Sequence, residues 1–150
     1  MNDLLKLESQ LCFPLYVCSK EIIRKYKLVL DPYDLTYTQY IAMLVLWEEE
    51  PMNVKTLGER LFLDSGTLTP LLRKLEQKGY IKKSINKTDE RNQIIEVTPK
   101  GKDLKEEIQE VPIKMGKCVE LSSEEASFLY QTLYKIIQQM NDEKNTSLID

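Results

Sequence analysis

Apolar positions recur at helical spacing from the start of the chain, where Leu4, Leu11, Leu15, Cys18 and Ile22 form one stripe through residues 4–29. Pro14 lacks the N–H that a helix interior uses, so a bend or a fresh start is expected near Phe13. The turn-forming run LDPYDLT follows. A second helix is predicted over residues 38–49, with Tyr40, Leu44 and Trp47 on its inner face and a stop before Pro51. Asn53 is placed to cap a short helix, VKTLGERL. Asp64 is placed to cap another, SGTLTPLLRKLEQKG, which closes at Gly79.

After Gly79 the period changes. YIKKSI and NQIIEVT are β-rich runs separated by the polar stretch NKTDER, which predicts a hairpin with a flexible tip. Thr98 then caps a helix with Pro99 in its first turn. Ser122 followed by Glu125 is a capping box opening the last helix, roughly to Met140, after which the tail NDEKNTSLID is expected to fray. Two short helices joined by the tight turn FLDS and followed by a hairpin make a winged helix-turn-helix. The fold class is mainly α with a small β-wing. In that arrangement the second helix can enter a major groove and the hairpin tip can reach the adjoining minor groove.

Residue types agree with that use. Ser65, Gly66, Thr67 and Thr69 put small hydroxyls and a glycine at a helix start, where backbone approach to phosphates and base edges is easy; Pro70, Arg73 and Lys74 follow. The same hydroxyls would equally serve as helix caps, and Pro70 is expected to distort its helix. Lys82, Lys83 and Lys87 would equally be solubilising charges on exposed strands. Arg91 is harder to assign to solvation, because Asp89 stands two residues before it. A neighbouring carboxylate can fix the direction of a guanidinium, which is well suited to a narrow minor groove.

Composition narrows the function. With 150 residues, 30% charged and 42% apolar, the chain suits one globular domain with a core. No apolar run approaches the roughly 18 residues of a membrane span, and MNDLLKLESQ lacks the basic start and cleavage site of a signal peptide, so a cytoplasmic protein without membrane contact is expected. Histidine is absent, which removes the usual general base and metal ligand; no metal or cofactor is expected. The three cysteines, Cys12, Cys18 and Cys118, form no CxxC pair and fit reduced thiols better than a disulfide framework or a zinc site. The net charge of −3 hides an uneven distribution: residues 55–105 hold 12 Lys and Arg against 7 Asp and Glu, +5, which leaves 9 against 17, −8, elsewhere. A basic middle between acidic ends suits a phosphate-facing module.

The stretch DERNQIIEVTPKG, residues 89–101, resembles the wing signature of MarR-family regulators. LFLDSGTLTPLLRKLEQKGYI is similar to the recognition helix of one branch, the organic hydroperoxide regulators (OhrR type) and their staphylococcal thiol-based relatives. That branch also carries LCFxLY and LTYxQY, present here as residues 11–16 and 35–40. The resemblance implies one MarR-type domain over residues 1–150, with about 36–98 as the winged DNA-binding lobe and about 1–35 and 99–141 as dimerisation helices. It further implies a homodimer on palindromic double-stranded operator DNA, released when an organic hydroperoxide oxidises a cysteine held by two tyrosines. Cys12 matches that cysteine by motif, and Tyr26 and Tyr37 match the tyrosines by spacing.

Geometry constrains the match. Tyr26 lies 14 residues past Cys12, roughly 21 Å along a straight helix, so the two meet within one chain only if Pro14 folds the segment back. Otherwise the contact comes from a partner subunit. Cys12 alone would be read as a small core thiol, and Cys18 is taken as core. Phenol hydroxyls beside Cys12 would change its chemistry, since they can hold the thiolate that attacks a peroxide. Some members of the branch carry a second cysteine that closes an intersubunit disulfide, a role open to Cys118; capping of the sulfenic acid by a small external thiol is the alternative. Three other functions stay open. A MarR-type regulator would answer a small phenolic or carboxylate ligand instead of an oxidant, a thiol peroxidase would turn peroxide over, and a plain dimerisation module would bind no DNA.

Overall fold

The computed structural model describes residues 3–143, without the side chains of Asn86, Asp89, Glu90, Arg91 and Glu143. The chain forms two compact units, Met1–Met115 and Gly116–Asp150. In the first, single 3-10 turns at Asp3–Leu5 and Leu7–Ser9 lead into helix α1, Cys12–Leu30. Helix therefore begins at Cys12 and not near Leu4. Pro14 sits in the first turn of α1, where the missing N–H has no intrahelical partner to lose, which realises the fresh start expected near Phe13. A further 3-10 turn, Asp31–Tyr33, ends at Asp34 with φ 51°, a left-handed backbone that aspartate tolerates better than most residues.

Helix α2, Tyr37–Glu48, starts one residue earlier than the hydrophobic pattern indicates. Thr36 is its cap, in a reciprocal box with Gln39. It buries Gln39, Tyr40, Ala42, Met43, Val45 and Leu46. Leu44 is exposed, contrary to expectation, because the stripe at 42, 43, 45 and 46 turns it outward. Strand β1, Met52–Asn53, precedes helices α3, Val54–Leu61, and α4, Ser65–Gln77. Asn53 and Asp64 cap them as predicted, accepting the N–H groups of Thr56 at 2.7 Å and Thr67 at 2.8 Å. Gly79, at φ 80°, ends α4 in a Schellman motif: its N–H donates to Glu76 O at 2.9 Å, and that of Tyr80 to Leu75 O at 3.1 Å.

Strands β2, Ile81–Asn86, and β3, Asp89–Val97, form the predicted antiparallel hairpin. A third strand was not legible: β1 pairs with β3, giving the order β1-β3-β2, and two residues are too short to show a period. Helix α5, Pro99–Glu107, is capped by Thr98, and α6, Glu110–Gly116, restarts with Pro112 in its first turn. The core joins Leu30 of α1, Met43 and Leu46 of α2, Leu57 of α3, Leu68, Leu72 and Leu75 of α4, Ile81 and Ile95 of the sheet, and Val111 of α6. Recognition helix and wing are thus set on one apolar centre.

In the second unit, Ser122 caps helix α7, Ser123–Glu143, accepting the Glu125 N–H at 3.1 Å while its hydroxyl donates to the Glu125 carboxylate at 3.2 Å. Phe128, Leu129, Tyr130, Tyr134 and Met140 are exposed along it. Among the described residues no helix is long and apolar enough to cross a membrane.

Candidate DNA-binding face and thiol–tyrosine site

Helix α4 buries Leu68, Leu71, Leu72 and Leu75, and these four positions fix which residues face outward. At 100° per residue, Gly66, Thr69, Pro70 and Arg73 centre the opposite face, with Ser65, Thr67 and Lys74 on its flanks. All seven are exposed. Among the described residues neither Arg73 nor Lys74 makes an ion pair, so both cations are available to a phosphate. Pro70 does not interrupt α4, which runs through it as one helix. Its ring deprives only the Gly66 carbonyl of a partner, on an exposed face where solvent can supply one.

The wing projects from a fixed base. Thr98 N–H donates to Tyr80 O at 3.0 Å and its hydroxyl to Gly79 O at 2.5 Å, while Trp47 Nε1 donates to Gly101 O at 2.9 Å. Gly101 is required by contact: a Cβ there would overlap the Tyr80 carbonyl oxygen and lie 2.7 Å from Val97 Cγ1. That close approach accounts for the glycine ending the TPKG run. The side chains of Asp89 and Arg91, which carried the predicted minor-groove contact, lie outside the described residues; both positions belong to β3.

The predicted tyrosines come together. Tyr26 of α1 and Tyr37 at the start of α2 have ring centroids 4.6 Å apart, and Tyr40, which the motif contained but the site reading left out, packs 5.9 Å from Tyr26. Burial raises all three phenols above their ordinary range, and the neighbouring phenols add to this for Tyr26 and Tyr40. At neutral pH they are hydrogen-bond donors. Cys12 is not brought to them. The 19 residues of α1 are unbroken, so Pro14 does not fold the segment back, and Cys12 stays about 21 Å along the axis from Tyr26. Cys12, Cys18 and Cys118 are all exposed, which corrects the expectation that Cys18 is core: its position on α1 faces away from the packed side of the unit.

Beside the cluster, a cavity of about 320 Å³ is lined by Ile23, Lys27, Leu35, Tyr37 and Lys78 among others. Among the described residues no three His, Cys, Asp or Glu side chains are placed to hold a metal.

Residues 24–108 match the family described as transcriptional regulator SarA/Rot. The transcriptional regulator SarZ of Staphylococcus saprophyticus is 50% identical over 131 residues, 87% of this chain and 90% of that protein. AbfR, a protein of Staphylococcus epidermidis, is similar in structure in several states. Reduced AbfR bound to DNA superposes with TM-score 0.77 at 34% identity, covering 89% of this chain and 95% of that one. For overoxidized AbfR bound to DNA the values are 0.76, 33%, 89% and 94%, and for disulfide-formed AbfR 0.66, 36%, 87% and 92%.

Proposed function

The chain belongs to the SarA/Rot family of DNA-binding transcriptional regulators, and from that premise we propose that it is a homodimeric repressor released from a palindromic operator when an organic hydroperoxide oxidises Cys12. One observation carries the reading. Two donor phenols, Tyr26 and Tyr37, are gathered at the far end of an unbroken helix from the only cysteine in a matching motif. A second copy of the chain would complete the site by laying its own tyrosines against Cys12. Exposed apolar side chains on α1, among them Phe13, Leu15 and Tyr16, support a partner that covers this helix. In such an interface a phenol O–H donating to sulfur stabilises the thiolate, and apolar surroundings favour an organic peroxide over hydrogen peroxide.

The chemistry balances simply. The thiolate attacks the outer peroxide oxygen, the O–O bond breaks, the alkoxide leaves and takes a proton from water to become an alcohol, and Cys12 becomes a sulfenic acid. A thiol then displaces water to give a disulfide. Cys118 is the proposed resolving thiol, and disulfide-formed AbfR is the supporting precedent. Mass spectrometry after one equivalent of cumene hydroperoxide, with and without a small thiol, tests the sequence. A mass unchanged at the Cys12 peptide sinks it.

DNA contact is assigned to Ser65, Thr67, Thr69, Pro70, Arg73 and Lys74 of α4 in the major groove and to Arg91, oriented by Asp89, in the minor groove. AbfR bound to DNA supports operator binding as such. Arg91→Ala is expected to weaken operator binding by about 1–3 kcal/mol, with Asp89→Ala a smaller loss of the same kind. Titration of a labelled operator at fixed salt reads this; equal affinity in a folded Arg91→Ala protein removes the wing from the interface.

Tyr37→Phe keeps the ring contact with Tyr26 and deletes one donor. Alkylation of Cys12 at neutral pH should slow about tenfold, the worth of one hydrogen bond to a charged group. Identical alkylation rates across the pH range would show that this hydroxyl never meets the thiol. A second reading rests on the cavity beside Tyr37, lined by apolar Ile23 and Leu35, by Lys27 and Lys78 and by Asp31 and Asp34: a small phenolic or carboxylate effector would act there without oxidation. Release of DNA by such a ligand from the Cys12→Ser protein would establish it.

A further inference from the structure

Gln39 is a buried polar side chain of the core, and its amide oxygen serves two helices. It accepts the backbone N–H of Thr36 at 3.2 Å, closing the cap of α2, and it accepts Lys78 Nζ at 3.1 Å. Lys78 is the C-cap residue of the recognition helix α4. Its ammonium also donates to the backbone carbonyl of Asp34 and lies 3.4 Å from the Asp34 carboxylate. Asp34 is the residue held at φ 51° in the joint between α1 and α2. The Lys78 carbonyl in turn accepts Lys100 Nζ at 2.7 Å, which anchors the same point to α5. One side chain therefore fastens the end of the DNA-facing helix to the two residues, 34 and 39, that flank Tyr37 in the chain.

We infer that Lys78 is the positioning residue through which the state of the thiol–tyrosine site reaches the recognition helix. The inference rests on the proposed sensing by Cys12 and specifies its mechanical path. Tyr37 is the first residue of α2, directly after the Thr36 cap. A displacement of its phenol, when the partner's thiol gains oxygen or a disulfide, turns the first turn of α2 and with it Thr36 and Gln39. The helix start can relax toward solvent unless something ties it to the reader of DNA. Lys78 is that tie. The charge-assisted bonds are directional and partly sheltered, so a shift at Asp34 or Gln39 is passed to the C-terminus of α4. Among the described residues no other hydrogen bond or ion pair joins α2 to the end of α4, and the two helices otherwise meet through buried residues of one apolar cluster.

The test separates coupling from support. Operator affinity is measured by fluorescence anisotropy for reduced and peroxide-treated wild type, Lys78→Met and Lys78→Arg, with Cys12 alkylation rate and thermal unfolding followed in parallel. Lys78→Met keeps the stem and removes the donor. Its reduced affinity should stay within about two- to threefold of wild type, since Lys78 is not among the residues assigned to DNA contact. The ratio of oxidised to reduced Kd should fall toward one, by up to about tenfold, as expected for losing a hydrogen bond to a charged group from the coupled path. Lys78→Arg, which retains reach and charge, should recover most of that ratio, and the alkylation rate should not move in either variant. A wild-type ratio retained by Lys78→Met overturns the inference while leaving the sensor intact. So does a lost ratio accompanied by slower alkylation, since Lys78 would then act on the thiol site itself. If wild type shows no ratio at all, the sensing function fails and the coupling with it.

Discussion

Cys12→Ser should bind operator DNA as the reduced wild-type protein does and keep it in the presence of cumene hydroperoxide. Wild type should lose about 5- to 150-fold in affinity under the same treatment, the span of an ordinary coupling free energy. The hydroxyl of serine is close to a thiol in size and does not take oxygen from a peroxide, so the interface remains in its reduced form. A sulfenic acid or disulfide adds volume and polarity to a packed surface, where small additions cost about 1–3 kcal/mol. Cys18→Ser should respond like wild type. Cys118→Ser discriminates the two routes after the first oxidation: it should release DNA only when a small thiol supplies the second sulfur. Anisotropy of a labelled operator at fixed salt resolves all four proteins, and release from Cys12→Ser by peroxide would transfer the function to the cavity beside Tyr37.

What the sequence made legible follows from how local each signal is. Caps such as Asn53, Asp64 and Thr98 and the stop at Gly79 are set by one or two neighbouring residues, and the structure has them where they were expected. The hairpin was equally plain, because its alternation is carried by consecutive residues. The start of α2 was displaced because tyrosine and threonine suit either side of a boundary; the T-x-x-Q run from Thr36 to Gln39 was the better signal. Strand β1 and the tie from Lys78 to Gln39 depend on partners 39 or more residues away, which no local pattern encodes. The stripe through residues 4–29 was read as helix with a bend or fresh start near Phe13. Its residues Leu4, Leu11 and Leu15 are exposed in the single chain, and hydrophobic spacing alone does not distinguish burial within a chain from burial between copies.

Gly101→Ala should cost about 3 kcal/mol or more of folding stability, far beyond the ordinary effect of exchanging these two residues in a helix. Glycine within α5 would normally gain from the change, since alanine is the better helix former. Here contact reverses the sign. The new methyl group would overlap the Tyr80 carbonyl oxygen and press on Val97 Cγ1 at 2.7 Å, and a backbone oxygen cannot rotate away as a side chain would. Relief requires α5 to back off from the residue that joins α4 to β2. That movement stretches the bonds from Trp47 Nε1 to Gly101 O and from Thr98 to Gly79 O, which together fix the wing to its base. Operator affinity should therefore fall as well, because the hairpin loses its orientation relative to α4. Denaturant unfolding followed by the fluorescence of Trp47, the one tryptophan of the chain, measures the first effect at the place where it arises. An unfolding free energy within about 0.5 kcal/mol of wild type would mean that α5 slides without strain, and the close packing of helix on wing would no longer explain the glycine.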